Sequence, residues 1–177
     1  MIYKILSDDA YGVLYPDFKG ISLATPDRRA FLAGRSGEAA FGASWVEQAG
    51  LLGNGSQPAD ISRLSGFHLV MSPGAQRILV PLLNMKGEWL PVLFHGETYQ
   101  LFNCRHLIDA VIPGKSRLNE YAEIEELVLN ENVAEGETLW GTKFGVSRAL
   151  YCTEPFKQAV ETAGLTGLRF STDLTAR

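Results

Sequence analysis

The side chains most able to do chemistry in this sequence are grouped at Cys104-Arg105-His106, with Asp109 three residues further on. A thiol and an imidazole two residues apart face the same side of a regular strand, so they could form a Cys–His nucleophile. Such a nucleophile also needs an orienting group and an oxyanion donor, and only Asp109 is at hand. One hypothesis is therefore a small-molecule binding or hydrolytic domain with a pocket near Cys104, His106 and Asp109. Its alternative is a packed thiol beside a surface histidine.

Metal and cofactor chemistry has little support in the sequence. His68, His95 and His106 are too irregularly spaced for a metal site, and the chain contains neither H-x-x-x-H nor C-x-x-C. The glycines between positions 34 and 55 do not form a phosphate-binding fingerprint after a convincing strand. We therefore predict no metal and no cofactor.

A long acidic run offers a different kind of site. Seven glutamates lie between Glu120 and Glu137, and no Lys or Arg occurs between Leu118 and Thr142. Such a surface would complement a basic cleft, speed encounter and oppose wrong partners. The alternative is a solvated strand edge whose charges prevent edge pairing.

Aromatic residues would supply the affinity that charges alone do not. Tyr121 lies within the acidic run and Trp140 lies beside it, although packing in the core is an equal alternative for Trp140. The sequence thus predicts a partner-binding surface made of Glu120, Tyr121, Glu123, Glu125, Glu126, Glu131, Glu135, Glu137 and Trp140.

Composition and charge limit the class of protein. A chain of 177 residues with 46% hydrophobic and 20% charged residues predicts one globular domain over residues 1–177. The net charge of −4 argues against a nucleic-acid partner. The sequence shows no signal peptide and no apolar stretch of the roughly 18–20 residues that span a membrane, which predicts a cytoplasmic protein without a membrane partner. Two reduced core thiols, Cys104 and Cys152, fit that compartment.

The end of the chain has the pattern of a strand, a helix and a second strand. Residues 149–152 are apolar, Thr153 is placed to cap a helix, and apolar residues recur at helical spacing over 156–163. Gly164 can close the helix in a left-handed conformation, and a strand begins at Leu168. This unit needs a sheet from elsewhere to bury its apolar stripe.

An earlier segment follows the same order, with strand His68–Met71, Ser72-Pro73, a helical pattern and strand Trp89–Phe94. We interpret the two units as a repeat of architecture, the alternative being that such units are common in mixed proteins. The turn His95-Gly96-Glu97 before Thr98–Phe102 predicts a hairpin.

The remaining segments complete the predicted fold. Ile2–Leu6 forms a first strand, Asp27–Leu32 a helical turn, Phe41–Ala49 a short helix or an irregular segment, and Leu51–Pro58 a loop. Strands outnumber helices, so we expect an α+β fold. It has a mixed, largely antiparallel sheet with a few helices packed on it, and an irregular N-terminal third over residues 1–66.

Three segments resemble a family of bacterial immunity proteins of polymorphic toxin systems, first described around a myxobacterial immunity protein. They are Tyr99-Gln100-Leu101-Phe102-Asn103, the step Leu107-Ile108-Asp109-Ala110 with Ser116 beyond it, and the ending from Leu150 to Phe170, which contains Ala163-Gly164-Leu165-Thr166-Gly167-Leu168. The resemblance covers residues 67–177, chiefly His68 to Thr172, and leaves the first third without a counterpart.

The resemblance implies an antitoxin without catalysis of its own. Members of such systems bind a toxin made by the same cell, often encoded next door and delivered by contact-dependent or type VI secretion in competition between bacteria. The expected partner is a cognate toxin effector domain bound one to one. It would act in the cytosol as a nuclease, a deaminase or an ADP-ribosyltransferase.

Overall fold

In the described part of the chain, alternating apolar residues form strands on both sides of two short helices, which confirms the predicted α+β class. The computed structural model describes residues 1–17, 41–42, 45–53, 55, 57–146 and 148–176, so the predicted helical turn Asp27–Leu32 lies outside the described residues. The strands are β1 (Ile2–Ser7), β2 (Val13–Pro16), β3 (Gln48–Gly53), β4 (Ile61–Arg63), β5 (His68–Met71), β6 (Gly87–Phe94), β7 (Glu97–Cys104), β8 (Arg117–Leu118), β9 (Ile124–Glu126), β10 (Leu139–Gly141), β11 (Leu150–Thr153) and β12 (Leu168–Ser171). The helices are α1 (Pro73–Leu83) and α2 (Glu154–Thr162).

The first sheet has the strand order β10-β11-β1-β12 and is antiparallel throughout. The N-terminal strand β1 lies between β11 and β12, with Tyr3 opposite Cys152 and Ile5 opposite Phe170. The predicted strand Ile2–Leu6 is confirmed and extends to Ser7. The sheet that the C-terminal unit needs therefore comes partly from the other end of the chain.

The second sheet has the order β2-β3-β6-β7-β5-β4, and its one parallel pair among the described strands is β3 with β6. The predicted hairpin is confirmed as β6 paired with β7, from Gly87 opposite Cys104 to Phe94 opposite Glu97. Its turn is the pair His95 and Gly96, whose φ angles of 51° and 83° both lie in the left-handed region. Two such residues match the twist of a tight hairpin. A further two-stranded ribbon is formed by β8 and β9.

The predicted repeat of architecture is present. Helix α1 connects β5 to β6, which are parallel to each other and separated by β7. Helix α2 connects β11 to β12, which are separated by β1 in the same way. Each unit is thus a split strand–helix–strand motif whose central strand runs antiparallel to the outer two.

Both units bury their helices in one shared core. Buried residues from both sheets and both helices form a single cluster, which includes Ile5, Met71, Leu79, Phe102 and Phe156. Because successive side chains of a strand point to opposite faces, the alternate residues lie in separate clusters on the outer faces of the two sheets. Both cysteines are free and buried, as predicted.

The helix ends agree with the sequence except at one cap. Gly164 has φ 64° and closes α2 as predicted. Ser72 caps α1, because its hydroxyl accepts the amide of Ala75 at 3.2 Å. Thr153 occupies the N-cap position of α2 as predicted, but its hydroxyl donates to the carbonyl of Glu137 and does not cap the helix.

The described part of the N-terminal third is more regular than the sequence predicts. The expected loop Leu51–Pro58 begins inside β3, which pairs with β2 on one side and β6 on the other. Gly53 misleads because it serves packing: a Cβ there would lie 3.1 Å from the ring of Tyr15 on the neighbouring strand β2. Within the described part of the chain, no helix is long and apolar enough to cross a membrane.

Candidate functional site

The ribbon of β8 and β9 ends in a turn whose shape is fixed by Asn119. The side-chain oxygen of Asn119 accepts the amides of Tyr121 and Glu123, each at 2.9 Å. The amide of Asn119 donates to the carbonyl of Glu123 at 2.9 Å, and Ala122 has φ 59°. The turn therefore holds Tyr121 at the tip of the ribbon with 72% of its surface exposed.

A second turn supports this tip. The amide of Val146 donates to the carbonyl of Ala122 at 2.9 Å, and Gly145 has φ 74° in a space too small for a side chain. Val146 itself is 59% exposed. Two exposed apolar side chains thus lie on adjoining turns. We call residues 117–126 together with Val146 the acidic ribbon, since Glu120, Glu125 and Glu126 are exposed on it.

The seven glutamates do not form one surface. Glu120, Glu123, Glu125 and Glu126 belong to the acidic ribbon, and Glu123 lines a cleft beside Lys4 and Ser7 of β1. The other three line a cleft at the opposite end of β1, with Met1 and Ile2. They are Glu131, Glu135 and Glu137. The first cleft takes its β1 residues from Lys4 to Ser7 and the second takes Met1 and Ile2, so the glutamates that line these clefts are divided between two surfaces.

Cationic groups lie close to Glu125, Glu131 and Glu137. Glu125 accepts the Nε of Arg117 at 2.8 Å, and Glu131 lies 3.9 Å from the N-terminal amino group. Glu137 contacts Lys86 Nζ at 2.5 Å and His106 Nε2 at 2.7 Å. Burial acts to raise the pKa of Glu137, but the bonds from Lys86 and His106 outweigh it and hold the pKa below its ordinary value. Through these two bonds Glu137 stabilises the folded chain.

Trp140 is fully buried, with 0% of its surface exposed, so the prediction of an exposed aromatic anchor is wrong for this residue. Its ring packs 6.4 Å from that of Tyr151 in the outer cluster of the first sheet. Strand β10 is covered on both faces, because Leu139 belongs to the central core and Trp140 to the outer cluster.

The Cys104, His106 and Asp109 side chains are not brought together. Cys104 is fully buried, its thiol donates to the His106 carbonyl at 3.8 Å, and burial raises its pKa to about 12. The His106 ring turns to Glu137, as described above. Asp109 lines a separate, largely apolar cleft of about 460 Å³ with Phe144. Cys104 is therefore unsuited to act as the nucleophile of the hydrolytic hypothesis, since a buried neutral thiol is unreactive.

Among the described residues, no group of three or more His, Cys, Asp or Glu side chains is arranged to hold a metal ion.

A cluster of basic residues escaped the sequence analysis. Lys4, Arg63, Arg148 and Arg169 line one cleft of about 600 Å³. They come from β1, β4, the segment before β11, and β12, so their spacing along the chain carries no local pattern. Only the meeting of β1, β4 and β12 brings them together. The strand order that brings them together cannot be predicted from the sequence alone, so no sequence signal could have identified this site.

A comparison of the chain with models of known protein families finds no match, and a comparison with curated proteins finds none either. The resemblance to the immunity-protein family therefore stays a prediction from the sequence.

Proposed function

We propose that this protein is an immunity protein that acts in the cytoplasm, binding a cognate toxin one to one and covering its active site with the acidic ribbon. The observation that carries the proposal is the exposed Tyr121, which lies on a turn fixed by Asn119, between Glu120 and Glu123 in the sequence. An exposed, ordered aromatic side chain is typical of a protein-binding hot spot.

Preorganisation of the turn favours binding over a merely solvated loop. Asn119 fixes the backbone on both sides of Tyr121, and the amide of Val146 donates a hydrogen bond to the carbonyl of Ala122. A partner would therefore meet a tip that is already ordered, and less conformational entropy would be lost on association.

The charge of the ribbon indicates the kind of partner. Toxins that act on nucleic acids or dinucleotides need basic clefts for anionic substrates, and exposed carboxylates at Glu120 and Glu126 would complement such a cleft. This supports a nuclease, a deaminase or an ADP-ribosyltransferase as the toxin. The protein would neutralise its toxin by binding, without catalysis of its own.

The experiment pairs the protein with the toxin module encoded in the neighbouring reading frame, in a growth-rescue assay and in binding measurements at two salt concentrations. We expect Tyr121→Ala to weaken binding about 30-fold, since truncating a hot-spot residue costs about 2 kcal/mol. The double change Glu120→Lys with Glu126→Lys should slow association at low salt, and high salt should reduce the difference.

Glu97→Lys is the matched charge control, because Glu97 is exposed on the β6–β7 hairpin of the other sheet. It should bind like the unmodified protein. Unchanged rescue and unchanged salt dependence in both ribbon variants would remove the ribbon as the docking face. If the unmodified protein rescued cells from no adjacent toxin, the immunity function itself would be wrong.

A further inference from the structure

The cleft that contains Lys4, Arg63, Arg148 and Arg169 is basic in a protein whose net charge is −4. Two acidic side chains, Glu123 and Asp9, also line it. Asp9 is 93% exposed and lies 3.9 Å from Arg169, so it neutralises little. Four cationic side chains and two carboxylates line the cleft, so its lining keeps an excess of positive charge, although the Asp173 carboxylate also interacts with Lys4.

Protein surrounds most of the guanidinium group of Arg63. One terminal nitrogen donates to the carbonyl of Arg148 at 3.1 Å, while the Nε is inaccessible and, within the described part of the chain, has no hydrogen-bond partner. Burial lowers the pKa of Arg63 to about 10, and no carboxylate acts on it among the described residues. A guanidinium at this depth without an anion is unfavourable unless a ligand supplies one.

A second unsatisfied group lies beside Arg63. The Tyr151 hydroxyl is inaccessible and lacks a hydrogen-bond partner among the described residues. Burial raises the Tyr151 pKa, although the nearby Arg63 charge opposes the change, so the hydroxyl stays protonated at neutral pH. Two neighbouring donors without acceptors are unusual in a folded protein. Tyr151 itself does not line the cleft, but an oxyanion there would supply the negative charge that the Arg63 guanidinium lacks.

We propose that this cleft is a binding site for a small oxyanionic molecule, carrying a phosphate group or several carboxylates, with Arg63 as the central ligand and Arg148, Arg169 and Lys4 around it. Guanidinium groups match the geometry of both anions by paired N–H donors. A volume of about 600 Å³ is that of a site for a metabolite-sized ligand. Glu123 of the acidic ribbon also lines the cleft, but the protein alone suffices to test anion binding.

The test is titration calorimetry and thermal unfolding with inorganic phosphate and with citrate, each at constant ionic strength set with chloride. We expect saturable binding of at least one anion in the millimolar range or tighter, with a rise in Tm that saturates in parallel. Tighter binding of phosphate would identify phosphate-bearing ligands, and tighter binding of citrate would identify polycarboxylates.

Arg63→Met should weaken binding at least 10-fold without lowering the Tm of the anion-free protein, because it removes an uncompensated buried charge. Arg77→Met is the matched control, since Arg77 is exposed on α1 outside the cleft. Should Arg63→Met fail to fold, Arg169→Met at the exposed side of the cleft decides in its place. Absence of saturable binding up to about 20 mM, or equal binding by the cleft variants and the unmodified protein, would overturn the proposal.

Discussion

The two aromatic residues that the sequence suggests as anchors of the acidic surface lie in different environments. Tyr121 lies within the acidic run and Trp140 lies just beyond it, yet Tyr121 is exposed at a turn and Trp140 is fully buried. The difference arises from tertiary packing, because Trp140 lies in the outer cluster of the first sheet with Ala110, Leu127 and Tyr151. Local sequence identified both as candidates, but only the tertiary contact decides between them.

Glu137 gives a prediction at this scale. Its folded-state pKa is lowered, so its stabilising effect is present above the unfolded value of about 4.5 and is lost as the pH falls through the lower folded value. Glu137→Gln should destabilise the protein at pH 7 by about 1–2 kcal/mol, since it weakens two charge-assisted hydrogen bonds. The difference from the unmodified protein should shrink below about pH 4.

Urea unfolding at pH 7 and at several values between pH 3 and pH 5 measures this effect. Glu135→Gln, an exposed neighbour in the same turn, is the control and should have the same stability as the unmodified protein at each pH. A stability difference for Glu137→Gln that stayed constant over the acid range would show that the carboxylate charge is not the cause.

At the scale of elements, local signals were sufficient for the helices and the hairpin. Ser72-Pro73, Gly164 and His95-Gly96 each fix a boundary through a conformational preference that needs no distant partner. The strand partners could not be predicted in this way. The insertion of β1 between β11 and β12 pairs residues about 150 positions apart, and no local pattern encodes that pairing.

Helix α1 offers a test of the capping interaction. The Ser72 hydroxyl accepts the Ala75 amide and also lies 3.4 Å from Asp60, whose carboxylate accepts the amide and hydroxyl of Thr166. Ser72→Ala should therefore destabilise the protein by about 1 kcal/mol, as removal of a helix N-cap usually does. Ser72→Thr keeps the acceptor and should be close to the unmodified protein. Chemical unfolding compares the three, and equal midpoints would mean that the cap contributes nothing.

At the scale of the whole molecule, the two split units join where β4 meets the turn before β12. The amide of Ile61 donates to the carbonyl of Thr166 at 3.0 Å, and the amide of Asp8 donates to the carbonyl of Gly167 at 3.0 Å. This junction, together with the shared core, leads us to expect that residues 1–177 unfold as one cooperative unit. The sequence predicts the two units but not the junction, because Ile61 and Gly167 come together only in the folded chain.

Gly167 and Gly164 form a matched pair for testing this junction. Both have φ in the left-handed region, at 99° and 64°, but a Cβ on Gly167 would lie 2.2 Å from the Ile61 carbonyl oxygen, whereas none of the described atoms lies within 4 Å of one on Gly164. Gly164→Ala should cost about 1 kcal/mol, the usual effect of a side chain in this conformation. Gly167→Ala should cost about 3 kcal/mol or more, because the backbone of β4 must also move.

Denaturant unfolding followed by tryptophan fluorescence and by far-ultraviolet circular dichroism measures both variants. We expect Gly167→Ala to shift both probes together to a lower midpoint, because the junction belongs to the single cooperative unit. A similar small shift in both variants would show that the close approach to Ile61 is relieved without loss. Separate transitions for the two probes would show instead that the two units unfold independently, in spite of the core they share.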